Sequence, residues 1–515
     1  MAETQNRRTF LATAGITVAS VITSRVMARP DKPKDPPIQV MGTRETVDGM
    51  DADHPTLKSY RKAIEAMQKL PTTDPLSWRF QANMHGSKGD GANDGWNWCM
   101  HGNWWFLPWH RGYLYFFEKI VRKKSGDDGF RLPYWSWEKE GQNILPAPFR
   151  GANYKGQNNA LFDATRTDAA NNGQMLGIEG FGTFSVNWEA ALSTPLFTAS
   201  VLELSFGGLR KPKTMKLEKP ISSRQHGVME HQAHDMIHDA VGDDTGNMGD
   251  AMTAARDPIF WLHHANVDRL WNRWLNVKGH QLLDSMAEKD WYDQEFPFYD
   301  ENGNQVVVTV GKILELASEE SRYDDDMKLL AGALPAVREK TMEPKIVSVG
   351  AIQPMLTLGT KPFIKALELT EDAKPRLMAA LANLAADADP PAVLLRVEGI
   401  KPPKDMPMVF EVFITKKGEK RSKKSYVGTI AFFGRRGDSG HGNHEHDEKE
   451  GFTQGFDVTK LIQKLRSANE GQLPELEVSV VPHSTTGLSD DQLAKKTIEI
   501  PISNITLKLV TAEKK

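Results

Sequence analysis

A single cysteine, Cys99, is all the thiol chemistry in this chain. That excludes an intrachain disulfide and any Cys-rich zinc or iron-sulfur site. Charge of one sign is also missing: 64 Lys and Arg face 67 Asp and Glu, for a net charge of -3. No standing positive field is available for a nucleic acid, so none is expected as a partner. Long apolar runs are absent too. The strongest candidate, TFLATAGITVASVIT near the N-terminus, is too short to span a bilayer comfortably, so no membrane anchor is expected. What remains, 39% hydrophobic and 25% charged over 515 residues, is an ordinary globular composition with room for two or three domains.

Residues 1–28 read as a targeting segment. Arg7 and Arg8 precede the apolar run, and Val26-Met27-Ala28 offers a cleavage point after Ala28. This resembles a twin-arginine signal, with Asn6 where Ser or Thr is usual, and implies export to the periplasm or beyond. Residues 29–45, Pro- and Lys-rich at their start, read as a linker.

Residues 46–320 carry helical signals. Leu57, Tyr60, Ile64 and Met67 recur at helical spacing, with Asp51 or Asp53 as the expected cap and Pro71 as the stop. The stretch CMHGNWWFLPWHRGYLYFFE, residues 99–118, places His101 and His110 around an aromatic segment and runs into a helix whose first turn holds Pro108. His85 precedes it across a Gly- and Asp-rich loop. In GVMEHQAHDMIHDAVG, His234 and His238 stand at i, i+4, so one helix aims both at one point; His231, at i-3, competes for that face. DPIFWLHHANVDRLW reads as a helix capped by Asp257 and Pro258. It brings His263 and His264, about 100° apart, so that only one faces a given metal directly. The region from Ile144 to Lys219 has no clean period and its structure is not legible.

Residues 321–345 read as a second linker, with EESRYDDDMK near 319–328 as a solvated helix. From 346 to 515 short β-branched runs alternate with charged turns, the signature of an antiparallel sandwich. His441, His444 and His446 fall in a polar loop of this part. The fold class expected is therefore multidomain α + β: a mainly helical domain with a four-helix bundle, then a C-terminal antiparallel β-sandwich domain.

His85, His101 and His110 form one set of three imidazoles, and His234, His238 and His264 a second. Neutral imidazoles without thiolates or compulsory carboxylates suit copper, zinc or nickel, and copper heads the affinity order. Two such sets on facing helices would hold a metal pair about 3.5 to 4 Å apart. A copper pair can activate O2 against a phenol.

On these motifs the chain resembles the type-3 copper proteins, in particular tyrosinases and catechol oxidases, the polyphenol oxidases. LPTTDPLSW, HGNWWFLPWHRGYLYFFE, LPYWSWE, EHQAHDMIH, AARDPIFWLHHANVDRLW and the C-terminal YVGTIAFFG and GFDV carry the likeness. The resemblance implies two copper ions in a dinuclear site, O2 as co-substrate and small phenols as substrates. It makes His85, His101 and His110 the ligands of the first copper and His234, His238 and His264 those of the second, leaving His263 behind them. Cys99, two before His101, matches the position from which some members form a thioether to that histidine; a free buried thiol is the alternative. Glu230 matches the family's water-holding glutamate. Asp235 stands where many monophenol-active members have Asn, and either strengthens a proton acceptor or holds the His234 ring. Ala251 replaces a bulky Phe found in several plant enzymes, so more open space is expected above the first copper. The activity implied is o-hydroxylation of monophenols and oxidation of o-diphenols to o-quinones, with the C-terminal domain packed over the site. A diphenol-only catechol oxidase, an oxygen carrier and a dizinc hydrolase are the competing readings.

Overall fold

A computed structural model of the chain describes residues 42–513 apart from 177–185, 212–224, 244, 278, 281, 284–287, 326–342, 353–355, 383–390, 404–407, 436–450 and 487. The expected signal, most of the first linker, most of the second, and the His441, His444 and His446 loop lie outside these residues. Within them, a helical part precedes a C-terminal sheet.

The helical part is carried by α1 (Pro55–Gln68), α2 (Trp78–His85), α3 (Phe106–Ser125), α4 (Asp235–Gly242), α5 (Pro258–Leu275) and α6 (Val310–Glu320). Both ends of α3 follow from its sequence. Pro108 sits in a first turn that needs no amide donor there, Arg122, Lys123 and Lys124 complement the C-terminal dipole, and Gly126 takes a left-handed φ of 71° to end it. At α5, Pro258 occupies the first turn and the Asp257 side chain accepts from the Ile259 amide. That carboxylate is also gripped by Arg166 at 2.7 and 2.8 Å, and both side chains are wholly buried. Removing either partner would strand a buried charge, a loss of about 3 to 5 kcal/mol.

Two expectations are corrected. At α1 the cap position is His54 with no side-chain hydrogen bond, because Pro55 opens the helix and Asp51 instead accepts from the Asp53 amide in a turn. Residues 321–325, the described part of the acidic stretch after Glu320, are not helical. The helix α6 stops at Glu320, Tyr323 is buried and donates to Asp268 at 2.7 Å, and Asp325 accepts from Arg269 at 2.8 Å.

A hairpin of β1 (Glu295–Tyr299) and β2 (Gln305–Thr309) lies against α3. Gly112 permits this approach, since a Cβ there would meet Phe298 and Ile313 at 2.9 Å.

The C-terminal part holds β3 (Glu343–Ile352), β4 (Phe363–Leu369), β5 (Ala392–Ile400), β6 (Met408–Lys416), β7 (Tyr426–Ile430), β8 (Phe452–Asp457), β9 (Leu476–Ser484) and β10 (Asn504–Glu513). All pairings are antiparallel, in the order β7-β6-β9-β4-β3-β10-β5-β8. Its interior, with Val397, Phe410, Ile430 and Leu507, is one hydrophobic cluster. The helical part has its own, built on Trp104, Trp109, Trp135, Trp261 and Trp271. Two C-terminal residues, Val409 and Phe433, belong to the helical cluster. Polar contacts tie the same surfaces together: the Phe432 amide donates to Asp239 at 2.7 Å, Thr485 to Asp243, Asn187 to the Val427 carbonyl at 3.0 Å, and Arg396 to Glu203 at 2.7 Å.

Candidate metal centre

His85 ends α2, His101 lies on the segment before α3, and His110 sits one turn into α3. Their ring centroids are 5.3 to 5.6 Å apart. The second set comes from the turn before α4, from α4 and from α5: His234 and His238 are separated by 4.5 Å, and His264 lies 4.9 and 5.6 Å from them. All six are buried. In each set, one ring nitrogen from every histidine falls within 4.8 Å of the others, Cys99 joining the first group and His263 the second. The two groups meet where His110 and His264 stack in parallel at 4.2 Å.

Hydrogen bonding decides which nitrogen is available. A carbonyl oxygen only accepts, so a ring nitrogen facing one must carry the proton. His85 Nδ1 donates to the Ala251 carbonyl at 2.9 Å, His110 Nδ1 to that of Phe106 at 2.8 Å, and His238 Nδ1 to that of Met248 at 2.7 Å. His234 Nδ1 donates to Asp235 at 2.9 Å. In the neutral ring the Nε2 of these four histidines is therefore the unprotonated nitrogen, the tautomer seen when histidines bind metals. Burial holds His234, His238, His263 and His264 below the ordinary imidazole range, which keeps them neutral and ready to ligate. The donor set, all imidazole nitrogen, fits copper.

His263 and His264 separate by their neighbours. The His264 ring lies 4.9 and 5.6 Å from His234 and His238 and also contacts His110 and Phe260, so it stands where the two groups meet. His263 packs on His234, His238 and Trp137. His231 does not share their face; Gln454 from β8 donates to its Nδ1 at 2.9 Å.

Residues 230–234 form a single π turn before α4, a feature common at functional sites and invisible in the spacing. It places Glu230 beside the first group, where the Gly102 amide donates to both its oxygens at 3.0 and 3.1 Å. Burial, and then the Asp235 charge, push the Glu230 carboxyl well above the ordinary range. Burial also works against ionised Asp235, but His226, His234 and Arg435 outweigh it and hold that carboxyl low.

Cys99 Sγ lies 3.4 Å from His101 Nδ1, 3.9 Å from its Nε2 and 3.5 Å from His110 Nε2. It thus lies against the His101 ring, within 3.9 Å of both its nitrogens. Ala251 is buried, and its carbonyl accepts from His85 Nδ1 at 2.9 Å.

Two features escaped sequence reasoning. His226, in the loop before the π turn, donates from Nδ1 to Asp235 at 2.7 Å; nothing in its spacing marks it. Phe433, just after β7, lies flat on His238 at 3.8 Å and 12°, with its edge toward His234 and His101. The matching YVGTIAFFG motif was its only signal.

Comparison with known proteins agrees with this geometry. A family profile described as the common central domain of tyrosinase matches residues 75–277, a polyphenol oxidase middle domain matches 285–330, and a domain of unknown function matches 345–497. Tyrosinase HcTyr1 of Hahella sp. (strain CCB-MM4) is 30% identical over 480 residues, covering 86% of this chain and 96% of that protein. The chloroplastic polyphenol oxidase of Vitis vinifera is 33% identical over 52% of this chain and 45% of its own. Among solved structures, latent aurone synthase aligns with a TM-score of 0.59 at 22% identity, over 94% of this chain and 92% of that one. Latent apple tyrosinase does so with 0.59 at 23%, over 92% and 97%; at that identity the two share the fold.

Proposed function

The chain belongs to the tyrosinase and polyphenol oxidase family of copper oxidoreductases, and from that premise we propose that it hydroxylates monophenols to o-diphenols and oxidises these to o-quinones. His85, His101 and His110 hold one copper; His234, His238 and His264 hold the other, in a bundle formed by α2, α3, α4 and α5. When bound, the copper pair supplies the two-electron exchange with O2. The protein's own part is to place the phenol and manage its proton. A phenol entering beside His238 needs a proton acceptor in a dry site, and the observation that carries the hydroxylase reading is Glu230. Its carboxyl group is buried beside the first histidine group, held in place by the Gly102 amide at 3.0 and 3.1 Å, where it can hold or relay the phenol's proton. Asp235 fixes the His234 ring, and the small Ala251 leaves the His85 side unobstructed. The C-terminal sandwich, reaching the histidines through Phe433, covers the site and keeps the enzyme latent. Export through a twin-arginine route fits a protein that folds around its metal first.

Oxygen uptake and quinone formation should be measured on the copper-loaded protein, freed from latency by mild detergent, with tyrosine, tyramine, phenol and catechol. We expect turnover of all four, with a lag on the monophenols. Turnover of catechol alone, even with a trace of diphenol primer, would make the chain a catechol oxidase. Oxygen binding with no turnover would make it a carrier.

The Cys99 geometry supports a thioether to His101. The bond would join Sγ to a ring carbon with loss of the thiol hydrogen and the ring hydrogen as two protons and two electrons, which the co-substrate O2 would take up as hydrogen peroxide. Intact mass of the copper-matured protein should fall by two hydrogens, and thiol titration should find no free sulfhydryl. An unchanged mass with one titratable thiol under denaturing conditions would leave Cys99 a plain buried thiol.

A further inference from the structure

Asp235 is shared. One carboxylate oxygen accepts from His234 Nδ1 at 2.9 Å and the other from His226 Nδ1 at 2.7 Å. All three side chains are buried, and the Arg435 guanidinium from the C-terminal part stands 3.7 Å from the second oxygen. The opposite edge of His226 faces Glu230, with Nε2 3.7 Å from Oε1, and its ring lies parallel to that of His101 at 6.2 Å. One imidazole thus touches the residue that orients a second-set histidine and the glutamate beside the first set.

We infer that His226 is a positioning residue for the metal centre: its Nδ1–H holds Asp235 so that Asp235 in turn holds the His234 ring with Nε2 aimed at copper. A carboxylate bonded on one side only can rotate about its terminal torsion, which has a broad minimum. Bonded on both sides, it cannot turn without breaking a charge-assisted hydrogen bond in a site closed to water. Outer partners of this kind set ring orientation and ligand basicity, and losing one typically costs about 10- to 100-fold in metal affinity or activity. The inference rests on the assignment of His234 to copper made above.

The test is a pair of substitutions of similar size in the full-length enzyme. In His226→Asn the amide nitrogen falls where Nδ1 was and can still donate to Asp235. In His226→Gln it falls near Nε2 and cannot. Release of copper to a competing chelator should accelerate about tenfold or more in His226→Gln, for one of the two ions. Its kcat should fall while KM for catechol changes little. His226→Asn should stay within about threefold of the parent, since an outer partner of the same geometry is retained. Equal release from both variants, or a parental rate in His226→Gln, overturns the inference, as does failure of His226→Asn to fold. Should His226→Gln not fold, the release rate of His226→Asn decides by itself. A second measurement needs no copper. In the metal-free protein labelled at its histidine nitrogens, the His234 Nδ1 proton should exchange faster in His226→Gln than in the parent. A parent that bound no copper would refute the ligand assignment, while this exchange measurement would still judge His226.

Discussion

Replacing His264 with Asn should strip one copper from the chain and lower phenol oxidation by about 100-fold or more, beyond what loss of a residue contacting a ligand usually costs. His264 is the ring where the two groups meet, parallel to His110 at 4.2 Å and against Phe260 at 4.3 Å. Asparagine is too short to reach that point from α5, and no buried side chain beside it can replace the lost nitrogen except His263. That neighbour also lies on His234 but packs on Trp137 rather than in the parallel stack with His110, and substituting it with Asn should cost far less copper. Metal content by atomic absorption, read beside oxygen uptake, separates the two positions. Equal copper loss from both would mean that the adjacent histidines share the metal.

Phe433→Ala should raise the catecholase kcat/KM of the full-length protein about tenfold or more, chiefly by lowering KM, a change worth about 1.4 kcal/mol per decade. The Phe433 ring is fully buried and lies flat on His238 at 3.8 Å. A phenol docking beside the second histidine set would seek the same stacking face, and a tethered ring competes at a high effective concentration. Truncating a buried Phe also costs about 3 to 5 kcal/mol of stability, so the melting temperature should drop while activity rises. Phe433→Leu, which fills space without presenting a flat ring, should fall between the two. Unaltered KM in both variants, at full copper occupancy, would show that Phe433 does not hinder substrate.

The histidine groups were legible because metal ligation imposes local rules. The i, i+4 pair His234 and His238 must share a helix face, and Asp257-Pro258 must start the helix that carries His264. What stayed hidden depends on distant parts of the chain. The capping role expected of Asp51 failed because Pro55 sets the helix start while the carboxylate finds a nearer amide. Gln454, nearly the whole C-terminal part away, settles which way His231 points. His226 and Phe433 acquire meaning only when the loop before α4 and the turn after β7 are brought to the same place. The π turn at 230–234 is a one-residue adjustment that no hydrophobic period records.

Val409 and Phe433 belong to the hydrophobic interior of the helical part, and hydrogen bonds from Phe432, Thr485 and Arg396 also cross between the two parts. A protease that severed the chain between the two parts would therefore not free them. The nicked molecule would remain a two-fragment complex of unchanged size on a column, held by the same apolar plug, and would turn over slowly until detergent or mild denaturant drew the fragments apart.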